Sequence, residues 1–170
     1  MRLLALAFLA SLTAVTGHAQ AADPLRTAGG EDKAFAKLRG ITFFFIDVAT
    51  SESRPEDADL RSEIRDAMEL EMRRASITPK EFNPQTPETS TPLLTIDVRF
   101  NRGLGRYDAD VILSVRDNAT ITRNKEAVLA QSYSQSKRAS GTSESTLGRE
   151  IKARSRELVQ EIIQGMKTLK

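Results

Sequence analysis

The chain has 170 residues, with 25 Lys plus Arg, 23 Asp plus Glu, one histidine, and neither cysteine nor tryptophan. That length points to one domain, or a domain with a tail, and a chain of this size buries roughly 70% of its unfolded surface without needing a disulfide or metal. Absent cysteine excludes disulfide frameworks, thiolate zinc sites and cysteine nucleophiles from these residues.

Residues 1–21, MRLLALAFLASLTAVTGHAQA, have the layout of a secretory signal peptide. Arg2 is the positive n-region, Leu3 to Val15 is the apolar h-region, and small residues flank two cleavage points, after Ala19 or after Ala21. The apolar run is shorter than the ~20 residues needed to span a bilayer, so no transmembrane segment is expected after cleavage. The expected location is periplasmic or secreted. With no cysteine behind the apolar run, lipid anchoring at that point is excluded by chemistry. Cleavage removes Arg2 and His18 and no acidic residue, leaving 24 basic and 23 acidic side chains and a net charge of +1. The mature chain then holds no histidine, which removes Ser-His-Asp triads, imidazole bases and histidine metal sites. No cofactor is expected.

Gln20 to Gly30 is rich in small residues, and 22–40 is expected to be a flexible lead-in, with one or two helical turns around Phe35 and Leu38 before Gly40. Ile41 to Val48, ITFFFIDV, is β-branched and aromatic on both faces, which predicts a strand covered on both sides or near the sheet centre. Its three phenylalanines are expected to be core. After a polar loop carrying Pro55, a helix begins near Asp57 or Asp59, where Leu60, Ile64, Ala67, Met68 and Met72 form one apolar stripe. Acids at its start and Arg73 and Arg74 at its end complement the helix dipole. Pro79, Pro84, Pro87 and Pro92 then predict an irregular connection.

Leu94, Ile96, Val98 and Phe100 alternate with Thr95, Asp97 and Arg99, and the alternation resumes through Tyr107, Ala109, Val111, Leu113 and Val115. Pairing the two apolar faces sets Leu94 opposite Leu113, Ile96 opposite Val111, Val98 opposite Ala109 and Phe100 opposite Tyr107, with Gly103-Leu104 in the turn. The same register sets Arg99 across from Asp108, which is favourable, and Asp97 across from Asp110, which is not. This strand ends at Arg116 or at Thr122. A second hairpin is expected, with a turn at Asn124-Lys125 placing Arg123 opposite Glu126 and Ile121 opposite Val128, and a strand from Glu126 to Ser136. Lys137 to Ser145 is expected to be a linker. The last helix starts at an N-cap Ser143 or Ser145 and runs to about Lys167 on the stripe Leu147, Ile151, Ser155, Leu158, Ile162 and Met166.

The expected fold class is therefore α+β in the order β-α-β-β-β-α, with two helices packed on one face of a mixed four-stranded sheet, forming a single domain over 41–170. The stretches ITFFFIDV (41–48), DLRSEIRDAMELEMRRASI (59–77), LLTIDVRFNRGLGRYDADVILSVRD (93–117) and the closing helix carry a resemblance. Such an exported domain resembles the lipopolysaccharide-assembly accessory lipoproteins of the outer-membrane translocon. It is also similar to the amino-terminal domain of TolB and to the anticodon-binding-like modules of envelope secretion lipoproteins. The resemblance implies an accessory protein that binds another envelope component and performs no chemistry.

Arg99, Arg102, Arg106, Arg116, Arg123 and Lys125 fall on the outer sheet face or the hairpin tips and are the candidate basic patch for an anionic partner. The alternative is a solvated face balanced by Asp97, Asp108, Asp110 and Asp117. Near-zero net charge and the lack of aromatic residues among the basic ones speak against nucleic acid. Paired carboxylates such as Asp97 and Asp110 can perform glycosidase chemistry or bind calcium, but no motif here arranges a cleft or a calcium loop. The expected function is a non-enzymatic periplasmic accessory protein whose partner is another envelope protein or an anionic envelope component. A carrier of a small amphiphile or lipid, using a groove between helices and sheet, is the alternative, and a hydrolase is third.

Overall fold

The computed structural model describes residues 34–52, 54–55, 57–86, 90–103 and 106–168, with only the backbone described at 102, 103 and 106. The leader expected at 1–21 and the first part of the lead-in lie outside these residues. The elements are β1 (Phe43–Thr50), α1 (Asp57–Arg74), β2 (Thr78–Glu81), β3 (Leu93–Gly103), β4 (Arg106–Thr120), β5 (Ala127–Gly141) and α2 (Glu144–Thr168). They build an α+β domain on a mixed sheet of order β2-β1-β3-β4-β5. β1 runs parallel to β2 and β3, and β3, β4 and β5 are antiparallel neighbours.

Period-two alternation decides which side chains become core. Phe44, Ile46 and Val48 of β1, Leu94, Ile96 and Val98 of β3, and Val111, Leu113 and Val115 of β4 all join one buried cluster. The helices close that cluster from a single side, through Ile64, Met68 and Met72 of α1 and Leu147, Ile151, Leu158 and Ile162 of α2. Each such side chain contributes about 1.5–3 kcal/mol on burial. α1 starts at Asp57, with Asp57 and Asp59 in its first turn and Arg73 and Arg74 in its last, as the charge pattern requires. Ser143 is the N-cap of α2: its Oγ accepts from Thr146 N at 3.2 Å while Thr146 Oγ1 accepts from Ser143 N at 2.8 Å.

Several expectations are corrected. The sheet has five strands, not four, because Thr78–Glu81 pairs in parallel with β1 from Phe43↔Thr78 to Ile46↔Glu81. Those four residues, TPKE, show no apolar alternation, and Pro79 is tolerated because β2 is an edge strand. In the first hairpin, Leu94 faces Val115, Ile96 faces Leu113 and Val98 faces Val111, two residues from the expected register. Parity cannot separate registers that differ by two; the observed one pairs every residue of β3, adds Val115 opposite Leu94, and sets Arg99 rather than Asp97 against Asp110.

Beside its turn, where Lys125 has φ 62°, the second hairpin is displaced likewise, with Ala119↔Val128 and Thr120↔Ala127, and beyond the bulge that follows Arg116↔Gln131 it is displaced by one, as in Val115↔Tyr133. β4 thus ends at Thr120, and β5 continues through the expected linker to Gly141. Its polar side chains look like linker, yet its backbone pairs with β4 as far as Tyr107↔Gly141. Lastly, β1 is helix-covered on one face only. Phe44 is core, whereas Phe43 and Phe45 lie half-buried on the opposite face.

Of the lead-in expected at 22–40, residues 34–40 are described and belong to the packed domain. Leu38 is fully buried, and the Phe35 ring stacks on Tyr133 at 5.2 Å. The ring also lies against Gly165 of α2, where a Cβ would fall 2.5 Å from Phe35 Cε1 and Cγ. Gly165 is thus the notch that admits Phe35.

Gly165→Ala is expected to destabilise the protein by about 1–2 kcal/mol in urea unfolding, because overpacking outweighs the improved helix propensity. In a Phe35→Ala background the same change is expected to be neutral or stabilising by up to about 1 kcal/mol. Equal costs in both backgrounds would show that the ring does not occupy the notch.

Candidate functional site

Because both helices lie on one side, strand parity decides which side chains make up the other side. The helix-free face carries the rows Asp47–Thr95–Ser114–Ser134, Asp97–Ile112–Ser136 and Arg99–Asp110–Arg138. Arg99 Nε donates to Asp97 Oδ2 at 2.8 Å, and Arg138 Nη2 donates to Asp108 Oδ2 at 3.0 Å. Both arginines are well exposed, so this end of the face is a mosaic of alternating signs. The Asp97–Asp110 opposition expected from sequence is absent, since Asp97 faces Ile112.

The six basic residues singled out from sequence do not meet in one patch. Arg99 lies on β3, with Arg102 near its end, and Arg106 opens β4 opposite Gly103. Arg116 sits on β4 opposite Leu93, and Arg123 and Lys125 lie in the β4–β5 turn. That turn and the β3–β4 tip are at opposite ends of the 15-residue β4, roughly 45 Å apart at the rise of an extended strand. Arg138 is not singled out by its sequence, because the polar residues around it hide the continuation of β5 past Ser136. Extending the β5 alternation by two residues brings it beside Asp110.

Sequence reading also missed the cation set on the phenylalanines. Lys80 Nζ lies 3.5 Å from the centroid of the Phe43 ring and 5.5 Å from that of Phe45, while the two rings meet edge to face at 6.0 Å. The register Phe45↔Lys80 causes this, and it exists only because β2 is a strand.

β5 is the longer of the two edge strands of the sheet, and free edges invite pairing unless blunted. Two blunting devices are present. A bulge inserts Ser132 between the pairs Val115↔Tyr133 and Arg116↔Gln131, and Lys137 points its charge towards α2. Neither reaches the segment Ala127–Ala130, which with Asp117–Thr120 forms a two-stranded ribbon beyond the end of β3. Val128 and Leu129 in this ribbon are 37% and 36% exposed.

Lys137 anchors a polar network between β5 and α2. Its Nζ lies 2.7 Å from Glu161 Oε1 and 3.1 Å from Glu157 Oε2, and Arg154 Nη1 donates to the same Glu157 oxygen at 3.0 Å. Gln135 Nε2 donates to Glu161 and accepts at Oε1 from the Tyr133 hydroxyl, each at 2.5 Å. The Glu161 hydrogen bond holds the Lys137 ammonium above its ordinary pKa, outweighing desolvation. Hydrogen bonds from Arg154 and then Lys137 hold the Glu157 carboxyl below the ordinary carboxylate value, and Glu157 in turn raises Arg154. These shifted groups pair with one another in a bridge between strand and helix. Among the described residues no group of three or more His, Cys, Asp or Glu side chains is placed to hold a metal ion, and no helix is long and apolar enough to cross a membrane.

No protein-family model matches this chain. No curated protein sequence matches it either. Among solved structures, it is similar to the PelC dodecamer of Paraburkholderia phytofirmans, at 16% identity over 74% of this chain and 89% of that one, with a TM-score of 0.43. A single-residue variant of PelC gives 17% identity over 74% and 90%, with the same TM-score of 0.43. A candidate lipoprotein from Caulobacter crescentus gives 12% identity over 82% of this chain and 93% of that one, with a TM-score of 0.34. At these scores the likenesses carry no inference about the oligomeric state, ligands or partners of this chain.

The network sets a pH dependence. The contribution of Glu157 to stability is full above the ordinary carboxylate range and is lost as pH falls through its lowered pKa; that of Lys137 is full below the ordinary lysine range and is lost as pH rises through its raised pKa. Lys137→Met is expected to cost less than about 1 kcal/mol at neutral pH, since the pairs are partly exposed, and to flatten the acid limb of the stability curve. Urea midpoints measured against pH check this; an unchanged acid limb would contradict it.

Proposed function

We propose that this chain is an exported, non-catalytic accessory protein of the bacterial cell envelope that works by binding another envelope component. The leader at 1–21 supports export. The observation that carries the binding reading is the one-sided sheet. β3, β4 and β5 offer a long antiparallel face free of helices, and the β4–β5 ribbon extends it past the first residue of β3, with Leu129 exposed on that face and Val128 exposed on the opposite one. Apolar side chains exposed on both faces of an unblunted sheet edge suit a protein partner that adds its own backbone to the edge. The charged mosaic of Asp97, Arg99, Asp110 and Arg138 suits a partner matched in both signs rather than a uniformly anionic polymer. The non-catalytic reading is supported by the ionisable groups with shifted pKa values, which are engaged in the bridge between β5 and α2.

A photo-crosslinking residue placed at Val128 or Leu129 in expressing cells is expected to give one adduct of discrete mass in the envelope fraction. The same probe at Leu70, 44% exposed on α1, is expected to give none. Absence of adducts from the ribbon positions, or retention of the uncleaved chain in the cytosol, would contradict the proposal.

A further inference from the structure

The helix side of the molecule holds a cavity of about 220 Å³ at the end where both helices stop and β1 begins. Its apolar lining comes from separate segments: Leu38 and Ile41 ahead of β1, Ile77 after α1, and Ile163 and Met166 of α2. Arg39 and Lys167 also line it, and no acidic residue does. Arg73 and Arg74, at the end of α1, are paired with Glu69 and Glu71. Arg39 and Lys167, both exposed, have no ion pair among the described residues. Carbonyls at the two helix ends are already engaged, since Ile77 N donates to Met72 O, Ser76 N to Arg73 O, and Thr168 Oγ1 to Gly165 O.

Apolar walls exclude a wholly polar ligand, and two unpaired cations without a compensating acid favour an anion. Since an apolar cavity of ~150 Å³ accepts the six carbons of benzene, one of this size accepts about eight or nine. We propose that the cavity binds the tail of a single-chain anionic amphiphile, with a carboxylate or phosphate head group held by Arg39 and Lys167. The site involves neither the helix-free face nor the ribbon, so it stands independently of the partner-binding reading.

Methionine methyl signals provide the test. Met166 lines the cavity, whereas Met68 and Met72 are buried in the core and serve as internal controls. Purified protein labelled at methionine methyl carbons would be titrated with octanoate, with octyl phosphate and with 1-octanol, following the signals by NMR. Octanoate, octyl phosphate or both are expected to move the Met166 signal saturably while the Met68 and Met72 signals stay in place, and the tighter of the two identifies the head group. Binding is expected to weaken at least tenfold for 1-octanol and for the Arg39→Gln/Lys167→Gln variant, whose unmoved Met68 and Met72 signals report an intact fold. A Met166 signal that responds to neither anion, or a double variant that binds them as tightly as the parent, would overturn the proposal.

Discussion

The structure depends on the pairing of β3 with β4, because that ladder decides which face of the sheet is dry. Eleven residues of β3 pair with β4, and its even-numbered positions Leu94, Ile96 and Val98 are fully buried. A slip of one residue would exchange this row for Thr95, Asp97 and Arg99, placing two charges beneath the helices. That alternative is prohibitive, so the ladder commits the apolar row to one side. β1 then joins β3 in parallel through Phe45↔Leu93 and onward, adding Phe44, Ile46 and Val48 to the same side. Both helices have only that side on which to bury their stripes.

This one-sidedness separates two kinds of chemistry. On the closed side, polar groups are drawn into structure, as with Lys137, whose charge is met by Glu157 and Glu161 of α2, and Ser155, whose hydroxyl donates to Ile151 O. The helices are tied to each other by Lys152 with Glu63 and by Arg156 with Glu71. On the open side, Arg99 pairs with Asp97 along β3 and Arg138 with Asp108 across β4 and β5, and both arginines remain exposed. Lys80 shields Phe43 and Phe45 there, so the apolar content of that face is partly covered by a cation rather than by a helix.

Elements with strong periodicity were legible from sequence. The stripe of α1, the stripe and Ser143 cap of α2, and the alternation in β3 and β4 all carry their burial in their spacing. Features set by backbone pairing alone were not. TPKE has no pattern that marks it as β2, and the polar second half of β5 pairs as regularly as its first. The first hairpin keeps its predicted parity and is displaced by two residues, whereas the second is displaced by two beside its turn and by one beyond the bulge at Ser132, because alternation specifies a face while turn geometry and bulges specify the register. The basic residues were legible as exposed, yet their separation along β4 depends on strand length, which polar composition had hidden. The notch at Gly165 and the cavity beside Met166 arise from side chains far apart in the chain, so no local signal announces them.

The central claim is that the helix-free face of β3–β5 meets a partner in the envelope. Since the chain contains no cysteine, single cysteines can be placed at Ser134 and Ser136 on that face and at Gln160 on the exposed side of α2, all of them exposed. The decisive measurement compares maleimide labelling rates of purified protein with those in intact envelopes. The account predicts slowed labelling at positions 134 and 136 in envelopes and an unchanged rate at 160. Equal rates in both settings at all three positions would contradict it.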